Sequence, residues 1–544
     1  MTKILPLICF LGLAVGISAQ KSPSLLDPET ISGNHQLNYL EVSGPVSGQW
    51  TADTVLVTGD LEIMSGENLT ISPGTVVLFS GPYRISVKGS VTANGDINDP
   101  VLFTVADTTG FSDTLSNAGG WQGFVYEHLA SGADSSQFSH CIFEYGKAFG
   151  ADTFNQYGGA FRVFDFNKIT FFSCTFTLNR ALLSGGAVFA KNSDLVFDRC
   201  TFTGNRCGLS VQPWGYGGGI CSLHAEPVVT NCLFEGNSAT GIGGGASFDD
   251  SDPEISHNLF SNNYGGLGGG FGILRSNPSR VVSNNLVTSN EALFYGGGIA
   301  CIRSNTVFTN NTIVNNLSMS GGGFYCNDSA VPTLYNTILV SNEGLGHEVY
   351  IWDVRSAPSF YYCNVEDGTA AFEGSGAHEG YLGTFENNLD TVPMFRGTGD
   401  FPFALQAESP CIDAGTPDTL GLLIPATDLE GRNRIYNGRI DIGAYEWNPG
   451  EGIAPSQAKS ADINACPNPA KDEVTFVINT PVTQRGDLRI ISIQGIVIHE
   501  ETGIRLFPGN NRFIWDLTDD SGRRVRPGLY FCRIAGSSCS LIVQ

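Results

Sequence analysis

The chain has 544 residues, including 68 glycines and only 4 methionines, and its formal net charge at pH 7 is −24. This length allows several domains, and abundant glycine with few charged residues favours β structure over long helices. The acidity argues against nucleic acid as a partner, because phosphate binding requires a basic surface.

The N-terminal residues have the pattern of a secretory signal peptide. Lys3 supplies a positive charge, residues 4–15 form an apolar core, and a small-residue cleavage site precedes Gln20. We therefore predict a signal peptide over residues 1–19 and an exported mature chain. Residues 20–50 are polar and irregular, which suits a cap over the open N-terminal end of a repeat structure.

Alternating apolar and polar residues between Gly, Asn and Pro turns predict the first β-coils from residue 51 onward. A short pattern then recurs seven times between Cys174 and Asn342, as CTFTLN, CTFTGN, CLFEGN, NLFSNN, NLVTSN, NTIVNN and TILVSN. Its final asparagines are 26, 32, 26, 27, 26 and 26 residues apart, and a glycine cluster follows each of the first six. So regular a period indicates stacked units, and the lack of a 3.6-residue periodicity argues against helical repeats.

Alignment of the seven copies assigns side chains to the inside or the outside of the stack. The third position before the final asparagine is always apolar: Phe176, Phe202, Phe234, Phe260, Val287, Ile313 and Leu339. The fifth position before it holds Cys174, Cys200, Cys232, Asn258, Asn285, Asn311 and Thr337. Positions two apart share one face of a strand, so both columns are predicted to point inward. The neighbouring column of Thr177, Thr203, Glu235, Ser261 and Thr288, two positions before the final asparagine, is predicted to point outward.

Stacking of these columns predicts a parallel β-helix. Strands about 4.8 Å apart allow aromatic rows to fill a narrow core and asparagine amides to form a hydrogen-bonded ladder. Of the 14 cysteines, all but Cys9 follow the predicted signal peptide, and many occupy repeat columns. We therefore expect buried thiols in preference to a disulfide framework.

The pattern F-x-x-N followed by a glycine cluster resembles the repeats of polymorphic outer membrane proteins and other secreted right-handed β-helix proteins of bacteria. LTISPGTVVLF with Trp121-Gln122-Gly123 near the start, and SPCIDAG with DIGAYEW near the end, also resemble segments of such proteins. The resemblance implies a right-handed parallel β-helix over residues 51–448, closed by a C-terminal cap from about residue 400. Four charged residues of that cap are interpreted as salt-bridged rather than catalytic: Asp413, Asp428, Arg434 and Asp441.

The last part of the chain has a different character. Residues 449–465 are rich in Pro, Gly, Ser and Ala and are predicted to be a linker. Six short alternating runs in residues 466–544 predict an immunoglobulin-like β-sandwich.

Within this part, PNPA and WDLTDDSGRRVRPGLYFCRI resemble the sorting domain of proteins exported by type IX secretion. That resemblance implies recognition by outer-membrane secretion machinery and a secreted or surface location in a bacterium. The usual basic tail is missing, because the chain ends at Gln544, so a permanent stalk or binding module is the alternative.

A row of charged or ionisable residues stands five positions after the last glycine of each cluster. Its members are Lys191, His224, Asp250, Arg275, Arg303 and Asp328. We predict a ligand-facing patch there, with a solvated corner that suppresses aggregation as the alternative. The nearby carboxylates of Asp249, Asp250, Asp252 and Glu254 could hold calcium, the only cofactor that the sequence suggests.

Two classes of function are compatible with this organisation. The first is a monomeric, non-catalytic adhesion or glycan-binding module that contacts an extracellular polysaccharide or a cell-surface glycan. The second is a polysaccharide lyase or glycoside hydrolase whose acid, base or calcium lies on the charged row. The absence of any lyase or hydrolase motif from the sequence favours the first class, although the fold alone does not decide.

Overall fold

The computed structural model describes residues 39–449, apart from positions 115, 128, 130, 131, 151, 210–213 and 277–279, and most of residues 462–543. The gaps in the second part are residues 467–469, 472, 481–483, 493–496, 507–508, 520–521, 526–527 and 535–536. The predicted signal peptide and residues 450–461 of the predicted linker lie outside the described residues. The chain divides into two compact units, Met1–Asn448 and Pro449–Gln544.

The first unit is a parallel β-helix with up to four strands in each coil, which form hydrogen-bonded sheets of 24, 13 and 8 strands. The 24-stranded sheet consists of two stacks that are joined by the long strand Thr54–Ile63, and we describe these stacks separately as sheets 1 and 3. Sheet 1 follows the glycine corners and contains Ile85–Val87, Phe124–Glu127, Phe161–Phe164, Val188–Lys191, Ile220–Leu223, Ala246–Asp249, Phe271–Leu274, Ile299–Ile302, Phe324–Asn327, Val349–Ile351 and Phe372–Glu373. Sheet 2 contains Gly48–Trp50, Asn68–Ile71, Ser90–Asn94, Ser136–Ser139, Ile169–Phe172, Val196–Asp198, Val228–Thr230, Glu254–Ser256, Val281–Ser283, Val307–Thr309, Thr333–Tyr335, Ser359–Tyr361 and Phe385–Glu386.

Sheets 3 and 4 complete each coil. Sheet 3 contains Tyr39–Pro45, Thr54–Ile63, Val76–Phe79, Val101–Val105, Cys141–Glu144, Thr175–Thr177, Thr201–Thr203, Leu233–Glu235, Leu259–Ser261, Leu286–Thr288, Thr312–Val314, Ile338–Val340 and Asn364–Val365. Sheet 4 contains Lys147–Ala148, Arg180–Ala181, Arg206–Cys207, Ser238–Ala239, Tyr264–Leu267, Glu291–Tyr295, Leu317–Ser320 and Glu343–Leu345. The described helices of this unit are the 3-10 turns Thr153–Gln156 and Gly368–Ala371 and the α-turn Ser375–His378. No helix in the described part of the chain has the length and apolar character of a membrane span.

The β-helix starts earlier than the sequence predicts. Tyr39–Pro45 pairs in parallel with Thr54–Ile63, and Gly48–Trp50 pairs with Asn68–Ile71. The predicted cap over residues 20–50 is therefore wrong for residues 39–50, which already form strands of the first coil. Their side chains are mostly exposed, so the composition resembles a loop although the backbone pairs as a strand.

The chain turns between sheets on single residues in the left-handed backbone region. After sheet 1 this residue is His224, Asp250 or Arg275, for example, with φ of 54°, 47° and 54°. At the glycine corner, Gly217 has φ of 68°, and a Cβ there would stand 1.9 Å from the carbonyl oxygen of Ile220. That corner needs glycine both for its φ and for the close approach of two backbone segments.

The predicted inward columns are confirmed. The rings of Phe176, Phe202, Phe234 and Phe260 are fully buried and lie nearly parallel, with centroids 4.6, 4.7 and 4.6 Å apart. The ten cysteines that the structure describes in the first unit are all buried, and none of them forms a disulfide.

The predicted asparagine ladder forms in the inward column, where Asn258 Nδ2 donates to Asn285 Oδ1 and Asn285 Nδ2 donates to Asn311 Oδ1, both at 3.0 Å. The final asparagines of the repeats form a second, longer ladder. Each side-chain Nδ2 donates to the Oδ1 of the next coil at 2.9 Å, through Asn179, Asn205, Asn237, Asn263, Asn290, Asn316 and Asn342. The ladder ends where Asn342 Nδ2 donates to Glu348 Oε2 at 2.5 Å. Every amide in this ladder is buried, so the hydrogen bonds replace those that water would otherwise supply.

The C-terminal segment of the first unit lies along a side of the β-helix rather than over its end, which corrects the predicted cap. Residues 389–447 cover an apolar outer strip of sheet 3 that includes Leu286, Val314 and Ile338. Backbone contacts fix the segment there, since Gly443 N donates to Asn336 O at 2.8 Å. Ser261 and Thr288, predicted to point into solvent, are consequently buried, whereas Thr177, Thr203 and Glu235 are partly or fully exposed.

A buried network of carboxylates and one arginine holds this segment together. Arg434 Nη2 donates to the carbonyls of Asp441 and Gly443 at 3.1 and 2.6 Å. Asp441 Oδ1 accepts from Asp413 N at 2.7 Å, and Asp428 Oδ2 accepts from Glu446 N at 2.7 Å. These contacts support the interpretation of the four charged residues as structural.

The second unit contains two antiparallel sheets. One comprises Asp462–Cys466, Val474–Thr480 and Gly509–Trp515, and the other comprises Gln484–Ser492, Val497–Leu506, Gly528–Ile534 and Ser537–Val543. Both contribute to a single core that includes Phe476, Leu488 and Trp515. This arrangement is consistent with the predicted sandwich, and its first strand begins inside the predicted linker.

Candidate functional site

Side-chain contacts between neighbouring coils link the residues of the charged corner row. His224 Nδ1 lies 2.9 Å from Asp250 Oδ2, and Arg303 Nη2 lies 2.6 Å from Asp328 Oδ2. Arg275 pairs instead with Asp249, the last residue of the preceding sheet 1 strand. Five of the six predicted residues therefore lie along one corner of the β-helix.

Lys191 does not belong to that row. Strand register places it opposite Leu223 on the outer face of sheet 1, one position before the corner. The reason is that Ala187 occupies the position of the third glycine in this repeat, so counting from the last glycine shifts the alignment by one. The corner residue that corresponds to His224 is Asn192, which also has a positive φ of 50°.

The four carboxylates proposed as calcium ligands do not converge on one point. Asp249 faces Arg275 and Asp250 faces His224, while Glu254 Oε2 is 3.8 Å from Arg280 Nη1. Burial raises the pKa of Asp252, and contact with Arg280 opposes that rise. Among the residues that the structure describes, no group of three or more His, Cys, Asp or Glu side chains is arranged to hold a metal ion. The positions of these carboxylates give no support to a calcium site, which stays a prediction from the sequence.

The corner row borders a shallow polar groove of about 630 Å³. Its lining residues are polar, charged or small: Asn167, Asn192, Asp194, His224, Ala225, Glu226, Asp250, Ser251, Asp252 and Arg275. Both hydrogen-bond donors and acceptors line this surface, which has the chemistry needed to contact hydroxyl groups.

A second groove, on the outer face of sheet 1, was not predicted from the sequence. It has a volume of about 410 Å³ and is lined mainly by aromatic and aliphatic residues: Thr153, Gln156, Tyr157, Leu183, Ser184, Phe189, Trp214, Tyr216, Cys221, Leu223 and Asp249. We call it the aromatic groove. The ring of Tyr157 stacks on Phe189 with a centroid distance of 4.4 Å, and Trp214 is half exposed.

The aromatic groove is built largely from segments that interrupt the repeat. Tyr157 precedes the glycine corner of an early coil, and Trp214 and Tyr216 lie in the extra residues of the one 32-residue step. The one sequence signal for this groove was the 32-residue step between Asn205 and Asn237, which contains Trp214 and Tyr216. Its function could not be inferred, because nothing in the repeat pattern shows where an inserted segment packs.

Asp249 lies between the two grooves. It lines the aromatic groove, and its partner Arg275 lines the polar one. Burial raises the pKa of the Asp249 carboxyl, and the Arg275 guanidinium counteracts part of that rise. A carboxyl group with a raised pKa therefore lines the aromatic groove.

Coils of parallel strands with these inward rows define the first unit as a β-solenoid. Residues 124–290 and 186–365 match the family model described as right handed beta helix region, so this part of the chain is a right-handed parallel β-helix. No curated protein matches the chain.

Proposed function

We propose that the β-helix is a glycan-binding module whose binding site is the aromatic groove. The observation that carries this proposal is the half-exposed ring of Trp214 above a groove formed by Tyr157, Phe189 and Tyr216. Aromatic side chains have flat apolar faces and polar edges, and concave apolar surfaces with a few polar groups are typical of small-molecule sites. A pyranose ring has matching chemistry, because its C–H groups form an apolar face and its hydroxyls project around the edge.

Binding to a panel of neutral and acidic polysaccharides tests the proposal. Trp214→Ala should lower the affinity for the bound glycan by roughly tenfold, as expected for loss of one aromatic contact. Tyr264→Ala is a matched control, since Tyr264 is a partly exposed aromatic residue on sheet 4 that does not line the groove. Equal affinities of the Trp214→Ala variant and the unmodified protein would refute the assignment.

A second candidate function is hydrolysis or elimination at the same groove, and Asp249 is the observation that favours it. A general acid needs a carboxyl pKa raised toward the working pH, and burial acts on Asp249 in that direction. Release of oligosaccharide products by the unmodified protein, lost in Asp249→Asn, would support an enzyme. Binding without product release would support the non-catalytic module.

We also propose that the protein is exported and that residues 466–544 direct its passage across the outer membrane. Two sequence features support this proposal: the signal peptide pattern and the resemblance of residues 466–544 to a type IX sorting domain. The compact second unit, which is distinct from the β-helix, also supports it. Deletion of residues 466–544 should retain the β-helix in the periplasm, as measured by cell fractionation. Normal surface display of the shortened protein would instead favour a permanent stalk.

A further inference from the structure

A patch of exposed apolar side chains lies on the outer face of sheet 4. Four neighbouring strands carry it, and they pair in parallel in the order Tyr264–Leu267, Glu291–Tyr295, Leu317–Ser320 and Glu343–Leu345. The side chains concerned are between 38% and 62% exposed: Tyr264, Leu293, Phe294, Leu317, Met319 and Leu345. We call this group the sheet 4 patch. None of its six residues lines the polar groove or the aromatic groove.

The strand Leu317–Ser320 shows that apolar residues face outward here by alternation. Leu317 and Met319 are exposed, whereas Ser318 and Ser320 are buried. Ser318 Oγ donates to Ser320 O at 2.8 Å, so its hydroxyl is satisfied inside the fold. Polar residues inside and apolar residues outside reverse the usual pattern of a sheet with one face in water. The reversal indicates that this outer face is suited to a contact other than water.

Earlier coils of sheet 4 have a different outer surface. The column that begins each strand runs from Arg180 and Arg206 through Ser238 to Tyr264, each paired with the next. This surface therefore changes from charged or polar to apolar at Tyr264. The sheet 4 patch is a local feature and not a property of every repeat.

The sheet 4 patch continues past the glycine corner. The ring of Tyr295, at the end of its strand, contacts Trp352 edge-on with a centroid distance of 5.2 Å. Trp352 is itself 45% exposed. From these exposures, the patch and Trp352 together present roughly 600 Å² of surface, at the upper limit of the apolar patches on typical monomers.

We infer that the sheet 4 patch binds a second copy of this chain, so that the protein forms a homodimer. Two such patches would bury roughly 1,200 Å² together, which reaches the range of specific, stable protein interfaces. A two-fold axis brings each patch against an identical one, so the exposed leucines and Met319 gain apolar partners. This inference replaces the expectation of a monomer, and it does not depend on glycan binding.

The shape and the border of the patch favour a second copy over a lipid surface. Two sheets pack well face to face through interdigitating side chains, and sheet 4 offers such a face. Glu291 and Glu343 begin two of the strands and are exposed, so acidic side chains border the patch. Charged residues at the rim of an apolar centre are usual in protein interfaces. An anionic lipid surface would repel these glutamates and a chain of net charge −24.

Sedimentation of the full chain over a wide range of concentrations tests the inference. We expect a species of twice the mass of one chain, and raised salt should tighten it by screening the repulsion between two acidic chains. Leu345→Glu and Met319→Glu should each raise the dissociation constant of the dimer by roughly tenfold or more, because each places a charge in an apolar contact. Leu420→Glu is the matched control, since Leu420 is 91% exposed and lies outside the patch.

The control should leave the dissociation constant unchanged, and matching circular dichroism spectra of dilute samples would show that all variants fold. A single-chain mass at every concentration would overturn the inference. A dimer that persists equally in Leu345→Glu and Met319→Glu would place the interface elsewhere and also overturn it. So would a monomer that binds phosphatidylcholine vesicles and loses this binding in Met319→Glu, because the patch would then contact lipid.

Discussion

Adjacent asparagines in one repeat provide a sharp test of the ladder. Asn263 is buried, and its Oδ1 accepts from the backbone N and the Nδ2 of Asn237 at 3.0 and 2.9 Å. Its Nδ2 donates to Phe234 O at 2.9 Å. Asn262 is exposed at the neighbouring corner with φ of 56°. The pair therefore differs in burial and hydrogen bonding while sharing residue type and location.

Asn263→Leu keeps the approximate volume but leaves three buried groups without these partners: two donors of Asn237 and the carbonyl of Phe234. At about 1–3 kcal/mol for each of these three groups, we expect the free energy of unfolding to fall by about 3–9 kcal/mol. Asn262→Gly preserves the left-handed turn and should cost less than about 1 kcal/mol. Guanidinium unfolding followed by circular dichroism measures both changes. Similar costs for the two variants would refute the argument that the buried ladder stabilises the stack.

Three further predictions concern other features of the first unit. Phe234→Asp buries an unpaired charge between two stacked rings, so it should destabilise the protein by several kcal/mol. A thermal or denaturant melt measures this loss, and a stable variant would contradict the inward position of Phe234. Burial raises the pKa of the Glu348 carboxyl from 4.5 to about 8. Between these pH values the folded state holds a proton that the unfolded state releases. The free energy of unfolding should therefore decline as the pH rises through this window. Glu348→Gln should flatten that decline in melting temperature measured against pH, and an unchanged slope would assign it to other groups. The corner row remains a predicted ligand contact: Asp250→Ala and Arg275→Ala should each weaken glycan binding several-fold, and unchanged affinity in both would leave the row a solvated corner.

The regular part of the β-helix could be predicted from the sequence because its rules are local. A period-two alternation puts Phe234 and Cys232 on one face, and a constant repeat length brings Phe234 beside Phe202 and Phe260. The same reasoning identified the inward ladder of Asn258, Asn285 and Asn311, although not the longer ladder of the final asparagines. It failed at Lys191, where Ala187 in place of glycine moved the reference point by one residue.

Features that depend on long-range packing could not be predicted. The outward positions Leu286 and Ile338 are apolar because residues 389–447 cover them, and no local pattern identifies that cover. Likewise, the groove around Trp214 forms where an insertion folds against sheet 1, and the ring of Tyr295 contacts the rings of Tyr325 and Trp352 from later coils. Sequence spacing locates such residues on the coils but does not show which inserted segments meet them.

The direction of the asparagine ladder also affects how the protein can change its number of repeats. Every coil from Asn179 to Asn342 presents an asparagine Oδ1 to the coil before it and an asparagine Nδ2 to the coil after it. A duplicated unit of 26 residues would therefore meet matching hydrogen-bond partners at both ends. Glu348 is different, because it accepts from Asn342 where another asparagine would otherwise stand. Gene duplication can thus lengthen the stack between Asn179 and Asn342, whereas a copy added beyond Glu348 would have no amide to continue the ladder.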